Sequence, residues 1–380
     1  MAGTADPMGA KGISMEQKWL KLALAGGAFA MSAMAYAETS VTLYGVVDEG
    51  ISYTQVRGGS GKRSRFGLSN GLASGSLWGL KGTEDLGDGL QATFQLESGF
   101  DARTGYSQQD DRLFGRQATV GLRSDSWGRI DLGRQTNIAS KYFANVASPF
   151  GYNYGQASVG TAFSSANELR YDNMVMYQTP NFSGFQAGIG YSFNASGSQE
   201  FRHSGDGEPN TRALTAGVRY DNGPLGAALV YDQFKTADNG PVIGEHGINV
   251  RSLDLALSYD FDVVKLYAAY GQTRNGWFSG PNIGDSVPSN MWARSGLRVN
   301  SYTVGASVPV TSNGKLMASW TMADPNDDSY TQHVYSLGYD YSLSKRTDLY
   351  AMASYAHHVL FQPEGSMKAA TAGVGIRHQF

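Results

Sequence analysis

Residues 185–193 alternate two chemistries without a break: Phe185, Ala187, Ile189, Tyr191 and Phe193 in one register, Gln186, Gly188, Gly190 and Ser192 in the other. Successive side chains of a strand point to opposite faces, so this stretch reads as a β-strand with one apolar and one polar face. The pattern returns in Leu90, Ala92, Phe94 and Leu96 against Gln91, Thr93, Gln95 and Glu97, then in 253–261, 302–308, 335–341 and 369–380. Beyond Ala37 no apolar run approaches the roughly 20 residues of a membrane helix. The exported chain is therefore all-β, and it is either a soluble protein or a barrel in a bilayer.

The connections favour the barrel. Short ones (84–89, 124–128, 180–184, 221–224, 260–264, 309–314, 342–347) alternate with long ones (99–114, 137–167, 195–211, 235–250, 273–298, 358–368). Short turns at one rim and long loops at the other are the signature of an up-and-down transmembrane barrel, and the count is about sixteen strands, a size that leaves an aqueous lumen. A soluble sandwich would also alternate, yet it has no need of aromatic pairs at strand ends such as Tyr191 with Phe193, Tyr259 with Phe261 and Tyr339 with Tyr341, where an interfacial girdle sits. Abundant Gly, Tyr and Phe, at 49, 22 and 17 residues, suit strands, tight turns and aromatic surfaces.

Lys18 and Lys21 precede an apolar run over 22–34, and Ala35 with Ala37 supply an A-x-A cleavage site. This is a secretory signal peptide, so 1–37 is upstream sequence and signal, cleaved after Ala37, and 38–380 is one barrel domain. Its removal leaves 27 basic and 31 acidic residues. That acidic balance excludes a binder of the phosphate backbone, so nucleic acid is not an expected partner. With no cysteine in the chain there are no disulfides and no thiolate metal sites.

The chain ends on a strand, 369–380. Ala372, Val374, Ile376, His378 and Phe380 form the lipid-facing row, and Arg377 and Gln379 face water. A final strand of a barrel must close on the first, expected over 39–48.

The stretches SVTLYGVVDEGISY (40–53), WGLKGTEDLGDGLQATFQLESGF (78–100), GRQATVGL (115–122), GRIDLGRQ (128–135), LRYDNMVMYQTPNFSGF (169–185) and the terminal GVGIRHQF together resemble the general porins of beta-proteobacteria, of the Burkholderia, Bordetella and Neisseria type. The resemblance covers essentially the whole mature chain. It implies a sixteen-stranded antiparallel transmembrane β-barrel with loop 3 folded into the lumen. It also implies a homotrimer set in outer-membrane lipid and lipopolysaccharide, and passive diffusion of small hydrophilic solutes and inorganic ions. Phe380 becomes the signal read during barrel assembly.

Such a pore needs no catalyst and no cofactor; it needs water, a constriction and a field. Strand parity places Lys81 in the lumen with Gly79 and Thr83, opposite Trp78 and Leu80. Arg116 and Arg134, each in a Gly-Arg-Gln, match lumen arginines of the family. Parity would turn both outward, so a bulge or strand end must intervene. Arg170 and Asp172 share an inward parity opposite Tyr171. These basic residues form the expected basic wall.

Loop 3 (137–167) has Lys141 as its one charged residue, and Pro149-Phe150-Gly151 resembles the family's Pro-Glu-Phe-Gly turn without the glutamate. Acids are therefore not expected opposite the arginines, and a weak preference for anions follows, tempered because Leu77 and Met176 stand where relatives often carry arginine.

Other chemistry is thin. His203 and His246 read as solvated loop residues, and His357 and His358, adjacent on a strand, point to opposite faces, so no metal site is expected. The run GGSGKR (58–63) lacks the spacing of a phosphate loop and reads as a surface loop. An outer-membrane barrel enzyme of phospholipase type is the alternative, but no strand presents an evident outward Ser and His pair. A secreted carbohydrate-binding β-protein is the third possibility.

Overall fold

The computed structural model describes residues 40–58, 61–238, 243–279, 283–284, 292–327, 331–358 and 367–380, and the expected signal peptide with its cleavage point lies outside them. Among the described residues, sixteen antiparallel strands close into a barrel. They are β1 (Ser40–Gly58), β2 in two halves (Gly61–Asn70 and Leu77–Gly87), β3 (Leu90–Gly99), β4 (Gln117–Ser124) and β5 (Gly128–Thr136). Then follow β6 (Arg170–Gln178), β7 (Phe185–Ser192), β8 (Arg212–Asn222), β9 (Leu225–Lys235), β10 (Asn249–Asp260) and β11 (Lys265–Trp277). The circuit is completed by β12 (Trp292–Pro309), β13 (Gly314–Pro325), β14 (Gln332–Ser342), β15 (Thr347–His357) and β16 (Lys368–Gln379). A short piece, Ile243–Gly244, pairs parallel to the start of β12.

Each strand pairs with its sequence neighbours, and β1 pairs with β16, so the sheet has no free flank. Closure runs from Val46 opposite Gln379 to Arg57 opposite Lys368, and Gly45 and Phe380 exchange backbone hydrogen bonds of 3.1 and 3.0 Å. This overlaps the expected 39–48 only at its upper end. Tilted strands of a barrel are staggered, and β16 stops at the chain end, so 40–46 finds its partner in the lower half of β2 instead. Of the run at 58–63, Lys62 and Arg63 lie in β2, opposite Arg57 and Val56, and residues 59–60 lie outside the described residues.

Alternation becomes two faces. On β10, Leu253, Leu255, Leu257 and Tyr259 are exposed while Ser252, Asp254, Ala256 and Ser258 are buried. The exposed row continues through Ile189, Val218, Leu229, Val304, Leu337, Val374 and Ile376, an apolar belt around the outside. Tyr191–Phe193 and Tyr259–Phe261 are in ring contact, 5.1 and 4.6 Å between centroids, at the C-terminal ends of β7 and β10, the first beside a long connection and the second beside a short turn.

The buried face is inward, and the connection 137–169 is bonded to it. This connection holds two short helices, α1 (Ile138–Tyr142) and α2 (Ala144–Ala147), and three 3-10 turns. Ile138, Phe143, Ala144 and Phe163 form an apolar cluster with Val230, Phe234, Val250 and Phe278. Glycines on the wall make room for it: a Cβ on Gly305 would lie 2.7 Å from Pro149, and one on Gly338 2.8 Å from Phe150.

Candidate functional site

The basic side chains gather where β2 to β6 approach the ends of the 137–169 connection. Arg116 lies just before β4, so strand parity does not bind it. Its backbone N–H donates to the Glu97 carbonyl, and its guanidinium reaches Glu97 at 2.7 Å and Glu168 at 2.5 Å. Arg170 meets the same Glu168 carboxylate at 2.5 Å. Burial alone would raise the Glu168 carboxyl, but Arg170 and Arg116 outweigh it and hold it below the usual range.

Arg134 sits at a break in register between Gly133 and Gln135, where two residues of β6, Asp172 and Asn173, stand opposite it. Asn173 takes a φ of 49°, the left-handed region. The bulge swings Arg134 onto Asp172 at 2.7 Å and onto the Gly115 carbonyl at 2.7 Å. It also moves Tyr171, which simple parity placed opposite the inward residues, into full burial in the apolar cluster around α1. Arg112, not singled out from the sequence, meets Asp172 at 2.8 Å, and the Gly197 N–H donates to the same carboxylate.

Lys81 lies on the inner face with its ammonium 5.2 Å from the centre of the Tyr44 ring. Tyr44 in turn donates to Glu97 at 3.0 Å and accepts from Gln95 at 2.7 Å.

The connection itself corrects two expectations. First, the arginines do have acids among them: Glu97, Asp172 and Glu168, the last one residue beyond the stretch read as loop 3. Second, Pro149, Phe150 and Gly151 are not turned toward the arginines. Phe150 is 2% exposed, stacks edge-on against Tyr154 at 5.5 Å and packs with Met317 of β13 and Tyr350 of β15. Gly151 has a φ of 56° and faces Asn145.

Lys141 points to Gln135 at 3.2 Å and to the Met176 sulfur at 3.3 Å, and burial pushes its ammonium down to about 8. The two histidines 357 and 358 also depart from simple alternation. His358 follows the end of β15 with a φ of 54°, which brings the rings into edge contact at 3.6 Å.

Further polar bonds fasten the connection to β9, β10, β12, β14, β15 and β16. The Asn137 amide donates to Ser165 O (2.7 Å) and Asp232 (2.8 Å), and Ser165 donates to Asp254 (2.6 Å). Ser301 and Gln332 each donate to its backbone at 2.7 Å, and Gln156 donates to Ser354 at 3.3 Å and to the Ala369 carbonyl at 3.1 Å.

A barrel of this kind, belted with apolar side chains and lined by charge, matches a known family model, the Gram-negative porins, over residues 22–358. The chain belongs to the Gram-negative porin family. An outer membrane porin of Bordetella pertussis is 49% identical, covering 96% of this chain and 100% of the relative. Outer membrane porin protein 32 of Delftia acidovorans is 34% identical, over 95% of this chain and 99% of its own. Among solved structures, the anion-selective porin from Comamonas acidovorans superposes with a TM-score of 0.71 at 30% identity, over 90% of this chain and 100% of that one.

The protein is thus a porin of the outer membrane, a channel formed by the barrel. In this porin the lining near the 137–169 ends carries Lys81, Arg112, Arg116, Arg134 and Arg170 against Glu97, Glu168 and Asp172. Sequence reading missed Arg112 and Glu168 because neither lies in a strand register; only folding brings them to partners far along the chain.

Proposed function

We propose that this porin forms a water-filled diffusion channel for small hydrophilic solutes and inorganic ions, weakly selective for anions, with the 137–169 connection narrowing the lumen beside the basic wall. The observation that carries the reading is the charge balance of that wall, five basic side chains against three carboxylates, with Lys141 nearby. Low-dielectric walls focus such an excess into a potential that favours anions over cations. The kinship with an anion-selective porin points the same way. The three carboxylates keep the preference modest.

The same reading includes export through the signal peptide 1–37, cleaved after Ala37, and assembly as a homotrimer in outer-membrane lipid and lipopolysaccharide. Family membership supports it, as do the apolar belt and the aromatic girdles.

The decisive measurement is the reversal potential of the purified porin in a planar bilayer under a salt gradient. A modest displacement toward the chloride equilibrium potential is expected, and a clear cation preference would overturn the selectivity.

A further inference from the structure

A second group of basic side chains lies deeper, toward the rim of short turns that also holds Phe380. Arg129 opens β5 and stands opposite Gln178 of β6, while Arg219 near the end of β8 stands opposite Gln186 of β7. Three strand spacings of about 4.8 Å separate β5 from β8, and Arg219 lies two residues beyond Gly217, the position level with Arg129, so the two Cα atoms are roughly 16 Å apart. Two arginine side chains with a small oxyanion between them span that gap.

Both are held in place before any ligand arrives. The Arg219 guanidinium carbon lies 5.0 Å from the centre of the Tyr142 ring, and its Nε donates to Gln186 at 3.0 Å. Among the described residues Arg219 forms no ion pair, so its terminal N–H groups carry an uncompensated charge. Arg129 grips Asp131 through Nε and one terminal nitrogen, at 2.6 and 2.7 Å, and its side chain remains 39% exposed. Between them Tyr142 donates to Gln178 at 3.3 Å and to the Ala187 carbonyl at 3.2 Å. Burial pushes the Tyr142 hydroxyl up to about 12, and Arg219 and Arg129 pull it back only in part. It therefore adds no negative charge at neutral pH.

We propose that Arg219 and Arg129, flanking Tyr142, form a second resting site for a small oxyanion of the hydrogen-phosphate class at the short-turn mouth of the channel. The site rests on the porin reading above and adds a ligand class to it. A planar guanidinium presents parallel N–H donors that match an oxyanion and give chloride no comparable fit. Such a site would hold departing oxyanions briefly and reduce the current that chloride carries past it.

The test titrates inorganic phosphate against chloride current through single channels at low salt, adding phosphate to each side of the bilayer in turn. The wild-type current should fall along a saturating curve from one side only. Arg219→Gln should raise the half-saturating phosphate concentration about tenfold, the loss of one charge-assisted contact, with Arg219→Lys between the two. Heat-modifiable gel migration checks that each variant is folded.

A linear or symmetric effect of phosphate would overturn the site. So would a half-saturation that moves in Arg116→Gln but not in Arg219→Gln, since that assigns the oxyanion to the upper wall. Failure to see any conducting steps would remove the porin reading itself, and the site with it.

Discussion

Glu168 is the residue on which the strength of the proposed anion preference turns. Its one carboxylate is shared by Arg116 and Arg170, so neutralising it takes from Arg170 its carboxylate partner and leaves Arg116 with Glu97 alone. A unit charge a few ångströms from an ion in water is worth on the order of 1 kcal/mol, a several-fold change in relative permeability. Glu168→Gln is therefore expected to strengthen anion preference and Arg116→Glu to weaken it, read as opposite shifts of reversal potential. Equal potentials in the two variants would take Arg116 out of the ion path.

Lys141 adds a dependence on pH. With its ammonium lowered to about 8 by burial, against roughly 10.4 in an unfolded chain, it is charged in both states below pH 8, and there its burial costs the most stability. Between pH 8 and about 10.4 the folded state has shed a proton that the unfolded chain keeps, so stability rises with pH while a positive charge beside Met176 and Gln135 is lost. Anion preference should accordingly decline from pH 7 to 9 in the wild type and stay level in Lys141→Met. Parallel declines in both would assign the titration elsewhere.

At the scale of an element, Asn137 joins the two ends of the 137–169 connection. Its side chain accepts from the Ser140 N–H as the cap of α1 while donating to Ser165 O and Asp232. Losing a cap costs about 1 kcal/mol, and stripping a donor from a buried carboxylate adds about 1–3 kcal/mol. Asn137→Ala should lower the temperature of the heat-modifiable transition and raise open-channel current noise. An unchanged transition would mean that the apolar cluster alone holds the connection.

Parity reading succeeded on β7, β10 and β14, where alternation runs unbroken. It failed at Arg134 and Tyr171, because a bulge inserts a residue and reverses every face beyond it.

For the whole molecule, closure depends on the last residue. Gly45 and Phe380 pair through both backbone groups, and a Cβ at Gly45 would lie 2.4 Å from the Phe380 ring. Deleting Phe380 should reduce the amount of folded, heat-modifiable protein in outer membranes while leaving the unitary conductance of channels that do assemble unaltered. A normal yield would show that the β1–β16 register closes without it.

The alternation of side chains determined two-faced strands, the rhythm of short and long connections pointed to a barrel, and the Gly-Arg-Gln motifs picked out Arg116 and Arg134, because all three are local in sequence. Which acids answer those arginines, and which wall receives Phe150, was decided only in three dimensions. Arg116 and Glu168 are 52 positions apart, and Gly305 and Gly338, which admit Pro149 and Phe150, belong to strands that meet the connection only once the sheet has curved shut. Periodicity encodes which face a residue takes; closure of the barrel decides what it faces.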